Sequence, residues 1–186
     1  MPNATLYTFE VELAHVDRQI YETLSFRVAQ HPSETTDFLL ARVLAYCLEY
    51  REGIQFSAEG LSGPDEPALT VRDLTGTLLV WIDVGVPDPA RLHKATKAAP
   101  RVVVYTHKDP NRLVRLLDGE RIHRADVLEL YAIDREFIAS WAALLTRRMT
   151  MSLTVNDGQI YLTIGDTTIA GALDPISLTS AEKPRG

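Results

Sequence analysis

The chain opens with two stretches of strict alternation. In residues 8–14, Phe9, Val11 and Leu13 share one face, and Thr8, Glu10 and Glu12 the other. In residues 20–28, Ile20, Leu24, Phe26 and Val28 oppose Tyr21, Thr23, Ser25 and Arg27. A period of two marks a half-buried strand, and the short link around Val16-Asp17-Arg18 makes the pair a hairpin. The period then lengthens. Leu39, Val43, Tyr46, Cys47 and Tyr50 form a helical stripe to about residue 51, with Ser33 as the expected N-cap, Glu34 and Asp37 in the first turn, and Gly53 as the stop. A short strand over residues 54–56 follows.

After a Gly-, Ser- and Pro-rich loop (57–67), strands are predicted at 68–73 and 77–85, joined at Thr75-Gly76. Asp88-Pro89 has the chemistry of an N-cap and first helical residue, starting a helix to about residue 99. Residues 101–106 read as a buried central strand, 110–117 as a helix, and 126–133 as another strand. Asp134 caps a helix whose apolar face carries Phe137, Ile138, Trp141 and Leu145. Alternation returns from residue 149. Met149, Met151, Leu153 and Val155 lead to a hairpin turn at Asn156-Asp157-Gly158-Gln159, a returning strand with Ile160, Leu162 and Ile164, and a third strand near 167–173. The result is an α/β (α+β) chain forming one domain over residues 1–178. It comprises an N-terminal hairpin (1–30), an αβββαβ core with a mixed sheet (34–106), further α/β elements (107–148) and a C-terminal meander (149–178), before a polar tail (179–186) with the composition of a flexible segment. The hairpin and meander each need a partner surface and are expected to pack together as an added antiparallel β layer beside the core.

The 46% apolar and 24% charged composition is that of a globular protein, with no apolar run long enough to span a membrane and no secretory leader pattern; a cytoplasmic location is expected. The single cysteine, Cys47, rules out an intramolecular disulfide and reads as a core residue. The net charge of −6 is unevenly spread. From residue 91 to 115, seven bases stand against one acid, a local +6 that leaves −12 for the rest of the chain. Such a zone either contacts phosphates, with Lys97, Arg101 and Arg112 as candidate nucleic-acid ligands, or is a solvated helical surface.

One residue breaks the apolar pattern. Asp83 interrupts the run Leu78-Leu79-Val80-Trp81-Ile82-Asp83-Val84. A carboxylate in a strand buried on both faces must be paired, hydrogen-bonded or bound to a metal. If Thr75-Gly76 is a two-residue turn, residue 83 lies opposite residue 68 and places Asp65 at the neighbouring strand end. Lys94, about a turn into the following helix, tilts its side chain back toward the strand end. Asp65 and Asp83 could share a Mg²⁺ or Mn²⁺ ion, and Lys94 could stabilise developing phosphate charge. Asp83 could equally be satisfied by Arg91 or by backbone donors, Asp65 could organise its loop, and Lys94 could be a solvated helix lysine. Glu34 reads as a favourable charge at a helix start. Trp81 and Tyr105 read as core residues.

The αβββαβ order, the Pro64-Asp65 pair and the acid on the third strand resemble the PD-(D/E)XK (restriction-endonuclease-like) nuclease superfamily. His31-Pro32-Ser33-Glu34-Thr35, Gln55-Phe56, Asp65-Glu66-Pro67 and Trp81-Ile82-Asp83-Val84-Gly85-Val86-Pro87-Asp88 are similar to the YaeQ family of bacterial proteins, a likeness that extends over essentially the whole chain. The resemblance implies a divergent nuclease fold, with Asp65, Asp83 and Lys94 in the catalytic positions, Glu34 and Lys97 as secondary candidates, and Asp65 and Asp83 as ligands of Mg²⁺ or Mn²⁺. Two departures stand out: Gly85 occupies the superfamily's lysine position, and Asp83 the place where YaeQ relatives usually carry glutamate. Two functions follow as expectations: a Mg²⁺-dependent nuclease, or a non-catalytic module that binds nucleic acid or a protein partner.

Overall fold

A thirteen-residue helix buried on nearly every side sets the architecture. The computed structural model describes residues 3–58 and 66–178. Helix α1 (Thr36–Leu48) buries Leu39, Leu40, Val43, Leu44, Cys47 and Leu48. The predicted stripe understated this burial, because a helix apolar on most faces needs cover on most faces. A single sheet supplies the cover. Its strands are β1 (Thr5–His15), β2 (Ile20–Gln30), β3 (Ile54–Phe56), β4 (Leu69–Arg72), β5 (Leu78–Val84), β6 (Arg101–Thr106), β7 (Leu128–Ile133), β8 (Arg148–Asn156), β9 (Gln159–Ile164) and β10 (Thr167–Pro175). Their order across the sheet is β2-β1-β8-β9-β10-β7-β6-β5-β4-β3.

The hairpin and meander do meet, but as continuations of one sheet and not as a separate layer. β1 pairs with β8 in parallel (Thr8↔Arg148 to His15↔Val155), so their junction is not antiparallel either. β10 joins the meander to the central strands through Leu173↔Ile133. The αβββαβ order of the 34–106 segment is present as α1-β3-β4-β5-α2-β6, with α2 at Pro89–Ala98. β3, β4 and β5 are antiparallel, whereas β5, β6 and β7 run parallel.

The sheet curls around α1 and α4 (Arg135–Leu144). Phe9, Leu153, Leu162, Val103 and Ile82 from its concave side join Leu40, Leu44, Phe137 and Trp141 of the two helices in one core. The curl brings the two end strands close: the rings of Phe26 on β2 and Phe56 on β3 lie 5.8 Å apart, with Tyr46 of α1 stacked on Phe56 at 4.8 Å. A second, smaller core lies on the convex side. There α2 and α3 (Pro110–Leu117) press Leu92, Ala95, Leu113 and Leu117 against Trp81, Val102 and Val104.

Local chemistry explains most element ends. Asp88, Asp109 and Asp134 cap α2, α3 and α4, each accepting a hydrogen bond from a first-turn amide. Thr35, and not the expected Ser33, caps α1 by accepting from the Phe38 amide at 3.2 Å. The Ser33 hydroxyl is instead bonded to His31 Nδ1 at 2.7 Å. At the β8–β9 turn Asp157 and Gly158 both have positive φ (50° and 69°), the geometry that a two-residue hairpin loop demands. The β4–β5 loop is wider than two residues. Asp73 Oδ1 accepts from the amides of Thr75 and Thr77, and a bulge at Val71/Arg72 absorbs the extra residue. The register beyond it, Leu69↔Ile82, still brings residue 68 beside Asp83.

Candidate functional site

Asp83 lies on the convex face of β5, under the first turn of α2. It is 2% exposed. Strand alternation sends Val80, Ile82 and Val84 to the concave core and Trp81 to the convex one. The carboxylate meets a preset clamp. Asp88 caps α2 through the Arg91 amide at 2.8 Å, which fixes the backbone from which the Arg91 side chain departs. The Arg91 guanidinium then donates through Nε to Asp83 Oδ2 at 2.8 Å and through Nη2 to Asp83 Oδ1 at 2.9 Å. Trp81 Nε1 donates to the same Oδ2 at 3.0 Å, and the guanidinium carbon sits 5.6 Å from the Trp81 ring. This bidentate, charge-assisted arrangement satisfies a buried acid at low cost.

Arg91 Nη2 also donates to the carbonyl of Glu66, whose side chain accepts from Ser57 Oγ at 2.7 Å. The chain immediately after position 65 is therefore tied to the Asp83 clamp. Asp65 itself lies outside the described residues. Lys94 follows Arg91 by three positions on α2 and is exposed, as is Lys97 in the last turn.

Glu34 belongs to a different group. Just ahead of α1, its buried carboxylate accepts from Arg42 Nη2 at 2.7 Å, and the same nitrogen donates to the Ala29 carbonyl at 2.9 Å. Burial raises the Glu34 pKa, and Arg42 works against that rise. Arg101 sits in an ion-pair group of its own. Its guanidinium is held by Glu49 (2.6 Å from Nη1) and by Glu129, while the Tyr105 hydroxyl donates to Glu49. These two carboxylates hold the Arg101 pKa above its ordinary value against desolvation. Of the nucleic-acid candidates, Arg101 is thus engaged by two carboxylates, with its side chain 38% exposed. Arg112 and Lys97 remain exposed, together with Lys108, Arg115, Arg121 and Arg124.

Both Asp83 carboxylate oxygens thus accept from protein donors, Oδ1 from Arg91 and Oδ2 from Arg91 and Trp81. Among the described residues no three His, Cys, Asp or Glu side chains gather closely enough to hold a metal. Position 85 is equally telling. Gly85 has φ +93°, and an added Cβ would sit 3.4 Å from the Phe38 ring. The superfamily's lysine could stand there only with a strained backbone. Sequence reasoning named Arg91 as a possible partner of Asp83 but missed the Trp81 indole as a second donor. The i, i+2 spacing of Trp81 and Asp83 on one strand face was the available signal.

These features define a mixed α/β protein: among the described residues, a curled ten-stranded sheet wraps on two helices, and two more pack outside, one of them clamping the buried acid. The chain belongs to the YaeQ family, whose model matches residues 1–172. YaeQ of Escherichia coli (strain K12) is 31% identical over 160 residues, covering 86% of this chain and 88% of that protein. YaeQ of Salmonella typhi is 29% identical over the same coverage. The crystal structure of YaeQ from Pseudomonas syringae superposes with a TM-score of 0.82 at 26% identity, covering 94% of this chain and 96% of that one. That of YaeQ from Xanthomonas axonopodis pv. citri gives 0.79 at 29%, covering 94% and 99%. No helix among the described residues is long and apolar enough to cross a membrane.

Proposed function

We propose that this protein is a non-catalytic nucleic-acid-binding module built on a nuclease-like αβββαβ core. The observation that carries this reading is the saturation of Asp83. Arg91 and Trp81 occupy both carboxylate oxygens in a buried site, so the acid fixes α2 to β5 instead of holding a cation. The outer helices α2 and α3 then present Lys94, Lys97, Arg112 and Arg115 on their exposed sides while Leu92 and Leu113 anchor them. Exposed bases on a rigid layer contact a phosphate backbone without reading sequence.

The experiment is a salt titration of binding to single-stranded DNA, double-stranded DNA and RNA, run beside a cleavage assay with Mg²⁺ and Mn²⁺. Salt-sensitive affinity without cleavage, weakened by Lys97→Ala or Arg112→Ala, supports the module. Cleavage that depends on Mg²⁺ or Mn²⁺ and is lost in Asp83→Ala overturns it in favour of a nuclease using Asp65, Asp83 and Lys94. Absence of both cleavage and binding overturns it in favour of a protein partner.

A further inference from the structure

Among the described residues, β2 is one end of the sheet and pairs only with β1. The direction of its backbone groups follows from β1. The Thr8 amide donates to the Arg147 carbonyl, on the β8 side. Even-numbered residues of β1 therefore turn their N–H and C=O toward β8, and odd-numbered ones toward β2, because the two groups of one strand residue point to the same side. The odd residues of β1 stand opposite even residues of β2 (Phe9↔Phe26, Val11↔Leu24, Leu13↔Glu22). Tyr21, Thr23, Ser25, Arg27 and Ala29 accordingly turn their backbone groups outward. Arg42 takes up the Ala29 carbonyl. Among the described residues, no hydrogen bond reaches the outward groups of Tyr21, Thr23, Ser25 or Arg27.

This edge has few of the usual guards. Ile20–Gln30 contains no proline, lysine or glycine, its register with β1 runs without a bulge, and its charges are one acid and one base, Glu22 and Arg27. Tyr21 is 63% exposed. On the concave side the edge is bordered by the partly buried rings of Phe26, Tyr46 and, on the other end strand β3, Phe56.

The free stretch is also self-complementary. Its four outward residues are symmetric about Leu24. Antiparallel pairing with a second copy about an axis at Leu24 sets Tyr21 against Arg27 of the partner and Thr23 against Ser25 of the partner, each twice. Every outward N–H and C=O of the four residues is then used. Tyr–Arg and Thr–Ser are favourable cross-strand neighbours, the first through a cation–π contact. We infer that this protein forms a twofold dimer by antiparallel addition of β2 to β2 of a second copy, centred on Leu24.

The test is the oligomeric state by sedimentation or light scattering, in wild type and in Thr23→Pro. Proline at 23 removes only an outward N–H, so the β1–β2 ladder is kept, and circular dichroism checks that the fold is intact. Wild type is expected to dimerise, and Thr23→Pro to dimerise at least ~10-fold more weakly. A register test runs beside it. Facing hydrogen-bonded residues lie about 5.5 Å apart at Cα, within disulfide reach. Thr23→Cys mixed with Ser25→Cys should therefore cross-link on oxidation, whereas Thr23→Cys alone should not; native Cys47 is buried and does not interfere. A wild type that stays monomeric at ~100 µM overturns the proposal, that concentration exceeding the Kd of a micromolar dimer. So does a dimer that survives Thr23→Pro unchanged, or a mixture that fails to cross-link.

Discussion

Arg91 holds Asp83 through two parallel hydrogen bonds, 2.8 and 2.9 Å long, from the first turn of α2 to the convex face of β5. The pair joins helix to sheet and neutralises a carboxylate that is 2% exposed. Removing the cation alone should therefore cost more than removing the pair. Arg91→Ala is expected to destabilise the protein by about 3 kcal/mol, because it strands a buried charge, whereas Asp83→Ala combined with Arg91→Ala should recover part of that loss. Urea denaturation of the two single variants and the double variant measures the coupling.

The bases of the 91–115 zone should divide into two kinds. Arg101 is tied to Glu49 and Glu129. Arg101→Met should lower stability by about 2 kcal/mol by leaving the buried Glu49 carboxylate short of a partner, and should leave the salt dependence of nucleic-acid binding unchanged. Lys97→Ala and Arg112→Ala should do the reverse. Stability should stay within about 0.5 kcal/mol of wild type, while the slope of log affinity against log salt falls by about 1 for each phosphate that is no longer neutralised.

His107 supplies a pH test. It is 4% exposed, and neither ring nitrogen has a hydrogen-bond partner among the described residues. Burial, reinforced by Lys108, depresses its pKa from 6.5 to about 4. The unfolded chain thus binds the proton first as pH falls. Stability is fully present above about pH 6.5 and drains as pH drops toward 4, by roughly 3 kcal/mol for this group. His107→Gln should flatten the change in urea midpoint between pH 7 and pH 5 relative to wild type. A variant as pH-sensitive as wild type in that window would show that other groups cause it.

Gly85→Lys restores the residue that the nuclease pattern expects, and the backbone predicts that it will fail. At φ +93° a side chain is strained, and its Cβ would already touch the Phe38 ring at 3.4 Å. A loss of about 2 kcal/mol is expected, with no gain of Mg²⁺- or Mn²⁺-dependent cleavage. Thermal melts and the cleavage assay check both halves.

The local elements were legible in the chain alone. The alternation of Phe9, Val11 and Leu13, the Asp88-Pro89 and Asp134 caps, and the Asp157-Gly158 turn are short-range devices whose chemistry is complete within a few residues. The chain also showed that Asp83 needs a partner, since burial of a charge is visible as a break in an apolar run. Which partner it meets is set by packing. Asp83 and Arg91 are eight positions apart, and their meeting depends on the angle at which α2 folds back over β5. Glu49 and Arg101, fifty-two positions apart, meet only because α1 lies inside the curl. Whether the hairpin and meander form a separate layer or extend the central sheet was likewise beyond one-strand periodicity, which shows that a face must be covered but not by what.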